Sequence, residues 1–294
     1  MAMYPNSIYE SIYQDVFCHT FSESCFVFLC GGADKDSIRD KVRRLLDDKR
    51  FQILYPEDLF MEMLNRNRSS DLLEYENLLA ENADIICIIC ESMGSAVELG
   101  AFVQSENVKS KLVVVINSKY RRDKSFIMMG PVKHIKKSYP DRLAYYKSPD
   151  VNGLVDDLKR CFRKLHKKVF GSRNNSLQEL SAYIAFIPQL IYFFQKIGRD
   201  ELYKGLKQFL TGRDILPARY KEFFNIAINY LMKTGIVVSG LNQREMTATL
   251  SLSPKGYLET KKVLDYSSAS EKTILHDRIR CDILKEQLNN SRSF

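Results

Sequence analysis

The chain has 294 residues, 45% of them hydrophobic and 27% charged, which suits about two domains with real cores and excludes a disordered chain. Its net charge of +8 is compatible with a polyanionic partner, because phosphates are the commonest counterpart of surplus Lys and Arg, but names none. No apolar run reaches the roughly 20 residues of a membrane span, and the N-terminal "MAMYPNSIYESIYQDVF" lacks the basic flank and apolar core of a signal peptide, so a cytoplasmic location with no membrane partner is expected.

Between residues 26 and 147, five short β-rich runs appear: "FVFLC", "FQILY", "ADIICIIC", "KLVVVIN" and "RLAYYK". The helical patterns "KDSIRDKVRRLLDD", "EDLFMEMLNR", "DLLEYENLLAEN" and "SAVELGAFVQSEN" lie between them. The alternation predicts an α/β domain over 1–149, a doubly wound parallel sheet with crossover helices. Ligands of such sheets bind beyond the carboxyl ends of the strands. That rule gathers Cys30, Gly31, Gly32 and Asp34 after the first strand and Glu57 and Asp58 after the second. After the third it adds Glu91, Ser92, Gly94, Ser95 and Glu98. Asp84 opens the third strand and falls at the opposite end, where a structural role is expected.

Residues 150–177 form a basic helical pattern ending at Gly171 in "GSRNNS", expected to connect two domains. In 178–265, three helical patterns are followed by "IVVSG", a polar turn and "MTATLSLS", then a further helix from "PKGYLETKKVL". That order predicts a winged helix-turn-helix, its first helix kinked or split at Pro188, with Gly198 and Gly235 closing the first and third helices. The aromatic stripe "YIAFIPQLIYFF" reads as core, and "KEFFNIAINYLMKTG" is too apolar for a major-groove reader, which favours a protein-docking wing. Residues 266–294 are expected to be a charged C-terminal helix or tail that frays at "NNSRSF".

Seven cysteines without tight spacing argue against a disulfide framework, and Cys87 and Cys90 share a strand with their side chains on opposite faces. Four histidines form no i, i+4 pair, so no metal and no cofactor are expected. Glu98 supports two readings. "Ser95-Ala-Val-Glu98" fits a capping box. A carboxylate between Gly94 and Gly100, near the positive end of a helix, is also expected to stay ionised, the state that suits attack on a sugar C1 as its base departs. The Cys30-Gly31-Gly32 turn lacks a Walker ending but lets a phosphate or ribose approach the backbone, and it is equally a plain tight turn. Glu57 fits either a helix first turn after Pro56 or a ribose contact. Arg160, Arg163, Lys164, Lys167 and Lys168 fall on one helix side, either a solvated face or one that tracks nucleic-acid phosphates with steep salt dependence.

Read together and in order, "FVFLCGG", "LYPEDLF", "LEYENLLAENADIICIICESMGSAVELGAF" and "KSFIMMGPVKHIKK" resemble the nucleoside 2-deoxyribosyltransferase-like effectors encoded beside bacterial retron reverse transcriptases. The resemblance implies a flavodoxin-like N-terminal domain with a C-terminal winged helix. It also implies an anti-phage toxin, an N-glycosidase hydrolysing NAD or a related nucleotide. Its restraint would come from the retron reverse transcriptase and its branched RNA-DNA product, msDNA. Glu98 matches the nucleophile of the family's "ELG" motif. Glu76 is the best positional match for an acidic residue on the helix before the third strand, or else part of a solvated helix face. The transferases carry Asp where this chain has Ser92 and Tyr where it has Phe28, and their Gln after the second strand has no match in "YPEDLF". These departures favour hydrolysis over base exchange. Self-association is implied as well, since transferase relatives complete their pockets from neighbouring subunits. Two rival readings remain: a nucleotide-sensing module without turnover, and a winged-helix transcription regulator with an α/β metabolite sensor.

Overall fold

The structure, a computed structural model, describes residues 4–32, 34–46, 48, 50–59, 82–147, 150–169, 177–242, 247–266 and 272–292. Two compact units divide the chain: Ser24–Ser172, and Met1–Glu23 together with Arg173–Phe294. The expected boundary after residue 149 is therefore displaced at both ends. The first 23 residues belong with the C-terminal unit, and the helix expected to be a connector is a layer of the α/β unit.

The N-terminal segment runs as α1 (Asn6–Ser11), a π-helical stretch (Ile12–Phe17) and α2 (Cys18–Glu23). Its buried residues come in doublets, Ile8/Tyr9, Ile12/Tyr13, Val16/Phe17 and Thr20/Phe21. A pattern repeating every four residues outruns the 3.6-residue turn, and the looser i→i+5 winding keeps each doublet on the inner side.

In the α/β unit, β1 (Cys25–Cys30), α3 (Ile38–Leu45), β2 (Phe51–Leu54), β3 (Ile85–Cys90), α4 (Met93–Phe102), β4 (Leu112–Asn117), β5 (Leu143–Tyr146) and α5 (Asn152–Val169) follow one another. The five strands pair in parallel in the order β2-β1-β3-β4-β5. Strand order reverses between β1 and β3, and the crevice at their carboxyl ends is where such a sheet takes a ligand. Every residue of β1 is buried, as an all-parallel sheet covered on both faces requires, and this explains the unbroken apolar runs. Ile38 and Val42 of α3, with Leu154, Leu158, Phe162 and Leu165 of α5, pack on Cys25, Val27, Leu29, Cys87 and Ile89. Phe26, Phe28, Ile86 and Ile88 point to the other face and are equally buried, as are Leu99 and Phe102 of α4. At the amino end, the Phe26 amide donates to the Asp84 carboxylate at 2.7 Å, the structural role expected of Asp84.

The helical unit is built round α6 (Leu180–Phe194), fourteen of whose fifteen residues are buried. Pro188 does not split it. Dense packing on all sides outweighs the roughly 3 kcal/mol that an interior proline costs, and the aromatic stripe is core, as expected. Helix α6 ends at Gln195, which adopts φ 63°. Gly198, expected to close that helix, instead ends a short strand β6 (Lys196–Gly198) and precedes α7 (Arg199–Gly212). Helix α8 (Tyr220–Lys233) is followed by Gly235 at φ 70°, in the closing position foreseen. Strands β7 (Val237–Asn242) and β8 (Thr247–Leu252) join β6 in an antiparallel sheet of order β6-β8-β7.

Helix α9 (Pro254–Tyr266) begins so close to this sheet that a Cβ on Gly256 would lie 2.0 Å from the Ile236 carbonyl oxygen. Replacing Gly256 by Ala forces backbone apart rather than a flexible side chain. An expected loss of about 1–3 kcal/mol or more is read from the midpoint of urea unfolding. The expected tail is a packed element: α10 (Lys272–Arg292) buries Ile279 and Ile283 and remains helical to Arg292.

Candidate functional site at the β1/β3 crevice

Beyond β1 the chain turns through Gly31, whose φ of 155° is essentially reserved for glycine, and Gly32. Helix α3 opens with Ser37 as its N-cap, the Ser37 hydroxyl accepting from the Asp40 amide at 3.1 Å. The other free amides of this turn converge on one side chain from the end of β3. The Glu91 carboxylate accepts from Gly32 N at 3.1 Å, Ile38 N at 2.6 Å and Arg39 N at 3.1 Å. A Cβ on Gly32 would stand 3.2 Å from that carboxylate, and one on Gly31 3.3 Å from it. The two glycines therefore admit a carboxylate of the chain itself.

Helix α4 begins at the end of β3 with a capping box, but not the one expected from "SAVE". Ser92 is the N-cap: its hydroxyl accepts from Ser95 N at 3.2 Å, and the Ser95 hydroxyl accepts from Ser92 N at 3.1 Å and from Glu91 N at 3.2 Å. Ser95 is 2% exposed and Gly94 is exposed. Replacing Ser95 by Ala removes this reciprocal cap, and the expected stability loss is about 0.5–2 kcal/mol, checked by thermal unfolding.

Glu98 stands one turn further along α4 and takes no part in the cap. Its Oε2 is buried and accepts no hydrogen bond among the described residues. The expectation from sequence rested on the helix dipole alone, which favours the ionised form; the fold adds an opposing influence. Burial and the neighbouring Glu57 raise the Glu98 pKa above its ordinary value, while Arg39 pulls it down. The helix dipole fades beyond the first turn, so burial prevails.

Arg39, which the sequence reading passed over, is 5% exposed. Its Nη1 donates to Glu57 Oε1 at 2.5 Å, and its guanidinium lies 4.3 Å from the centroid of the Tyr55 ring. Arg39 Nε has no partner among the described residues. A signal existed: Arg39 shares the i, i+3, i+7 spacing of the buried Val42 and Leu46, the inward stripe of the helix. Cys30 is 3% exposed, and burial, Glu98 and Glu57 push its thiol well up. It offers backbone to the rim while its sulfur stays protonated below. Burial and Glu98 likewise push Cys90 up to about 12.

The crevice thus joins Cys30, Gly31, Gly32, Glu57, Ser92, Ser95 and Glu98 with Arg39 and Glu91. Glu76 lies outside the described residues. The basic face of α5 belongs to the same unit and is partly neutralised: Arg163 pairs with Asp48 at 2.8 Å, Lys164 with Asp141 at 2.8 Å and Arg160 with Asp157. Lys167 is exposed, and the Lys168 side chain lies outside the described residues. Among the described residues, no three His, Cys, Asp or Glu side chains are grouped to hold a metal ion, and no helix is long and apolar enough to cross a membrane.

Two curated Escherichia coli proteins are similar to this chain. One, named "Retron Ec86 putative ribosyltransferase/DNA-binding protein", is 36% identical over 151 residues, which is 50% of this chain and 49% of that protein. The other, named in the same terms for retron Ec73, is 40% identical over 121 residues, 37% of each chain. The chain thus spans half or less of the length of these relatives. Residues 35–239, more than half of the chain and including the crevice residues from Arg39 to Glu98 but not Cys30, Gly31 and Gly32, match a retron effector family. The chain therefore belongs to the STM3845 retron effector protein family.

Proposed function

We propose that this retron effector is a toxin of anti-phage defence whose α/β unit hydrolyses the N-glycosidic bond of NAD or a related nucleotide. The observation that carries the reading is the state of Glu98, a carboxylate half-buried at the switch point of a parallel sheet, with one oxygen unpartnered among the described residues. A buried acceptor left unpaired costs about 1–3 kcal/mol, a cost that a ligand supplying the missing partner removes. In the proposed reaction a Glu98 oxygen attacks C1 of the ribose. The C1–N bond breaks, and its electron pair leaves with the base. Water then attacks C1, frees the carboxylate and gives up a proton. For a nicotinamide leaving group the departing pair neutralises a cationic ring, so no acid is needed on the base. This agrees with the missing base-binding residues. For other bases, Glu76 is the proposed proton donor.

In this reading Arg39 and Glu57 set the charge around Glu98, and the exposed rim backbone at Gly94 lets the sugar approach. The names of the two relatives, each a "putative ribosyltransferase/DNA-binding protein", support the reading of sugar chemistry in a chain that works beside nucleic acid. We assign restraint to the reverse transcriptase and msDNA, with the exposed Lys167 and the basic face of α5 meeting phosphates. The helical unit, read as flavodoxin-like domain's winged-helix partner, serves assembly. Burial of Tyr220, Phe223, Phe224, Ile228 and Leu231 along α8 makes these side chains core and leaves them unavailable to read a major groove. Self-association belongs to the same proposal. The test is to incubate the full chain with NAD, nucleotides and nucleosides separately and detect free base by mass spectrometry. Release from NAD is expected, and an intact ligand in every reaction would sink the enzymatic reading.

A further inference from the structure

We infer that Glu91 is a built-in anion that fills the phosphate seat at the start of α3, so that a nucleotide ligand of this crevice is held through its sugar and not through a phosphate at that helix. The inference rests on the proposal that the crevice takes a nucleotide and narrows how it does so.

A helix start next to a glycine turn at a switch point is the usual place for a phosphate, because unpaired amides and the positive end of the dipole point at it. Here each of those donors is spent. The Ile38 and Arg39 amides donate to Glu91 at 2.6 and 3.1 Å, the Asp40 amide to the Ser37 hydroxyl at 3.1 Å and the Lys41 amide to the Ser37 carbonyl at 3.1 Å. The Gly32 amide, which would complete a phosphate cradle, also donates to Glu91, at 3.1 Å.

The glycines give an independent argument. A Cβ at Gly32 would meet Glu91 Cγ, Cδ and Oε1 at 3.2 Å, so the turn is shaped round this side chain. Nor is Glu91 loosely placed. Its own amide donates to the Ser95 hydroxyl at 3.2 Å, which ties the residue to the cap of α4. A ligand phosphate would have to expel a carboxylate held by three amides and then share the space with its negative charge. The charge-assisted bonds already made match those it would gain. Glu91 is a specificity-determining residue in this account. It directs the ligand's phosphate away from α3 and leaves Glu98 and Arg39, both with unpartnered atoms among the described residues, to meet the sugar.

Inorganic phosphate is the probe, with full-length wild type, Glu91→Ala and Glu91→Gln compared at constant ionic strength. In wild type the amide NMR signals of Gly32, Ile38 and Arg39 are expected to ignore phosphate. In Glu91→Ala the same signals are expected to shift saturably, with a rise in melting temperature on the order of 4 °C at a tenfold excess over the dissociation constant. Should Glu91→Ala fold too poorly, Glu91→Gln, which keeps one acceptor and loses the charge, decides by the same shifts. Wild-type signals that move saturably would mean an open seat and overturn the inference, as would a folded variant whose three amides ignore phosphate. None of these readouts needs turnover, so a chain that hydrolyses nothing would refute the proposed activity and leave this result to stand or fall separately.

Discussion

Glu98→Gln is expected to abolish base release, lowering kcat/KM on the order of 10³-fold or more as nucleophile removals do, while making the protein more stable at neutral pH. The two effects share one cause. The fold raises the pKa of Glu98 above its ordinary 4.5 by burial and by the Glu57 charge, so the folded state holds the proton more tightly than the unfolded state does. Below the unfolded value both states carry the proton, and the residue costs nothing. As pH rises through the raised folded value, the charged form becomes a penalty that persists above it. Glutamine cannot ionise, so its advantage should be absent in acid, grow through that window and level off beyond it. Thermal melts of both proteins across the pH range check the sign. In wild type the acid limb of kcat/KM should lie above the ordinary carboxylate range, because attack needs the ionised form. A Glu98→Gln protein that still released base would remove Glu98 from the chemistry, and equal melting temperatures at every pH would remove the strain.

The largest stability effect is expected at Glu91. Replacing it by Ala deletes three charge-assisted hydrogen bonds and leaves the first turn of α3 without its acceptor. Such bonds contribute about 1.5–3 kcal/mol each, and water entering the rim restores part of them, so a net loss of about 2–5 kcal/mol is expected. Urea unfolding measures it. Glu91→Gln should lose less, since one amide oxygen still accepts. A loss no greater than that of Ser95→Ala would show that the carboxylate does not hold β3 to α3.

The residues that were easy to read are those whose pattern has a single physical cause. Central parallel strands are covered on both faces, so "FVFLC" and "IICIIC" are continuous apolar runs, and the helices between them carry an ordinary 3.6-residue stripe. The N-terminal helices were missed because their doublets repeat every four residues and match neither template. Arg39 was missed because a long cation in a first turn looks solvated, although its spacing with Val42 and Leu46 places it inward. Glu98 was found on a motif, yet its cap was assigned one turn too far along. Ser92 and Ser95 satisfy the helix start, and this freed Glu98 from a structural duty.

By itself the sequence determined what depends on local periodicity: the alternation of strand and helix, the rim to which Gly31, Glu57, Glu91 and Glu98 are delivered, and the buried character of α6. It also carried the motif order that marks the retron effector family. Only the tertiary structure decided what depends on partners distant in the chain. Glu91 meets amides 52 to 59 residues away, α5 covers the sheet instead of linking two domains, and the first 23 residues join the C-terminal unit. A side chain's residue type states which bonds it can make, while burial and the competing donors around it settle which of them it makes.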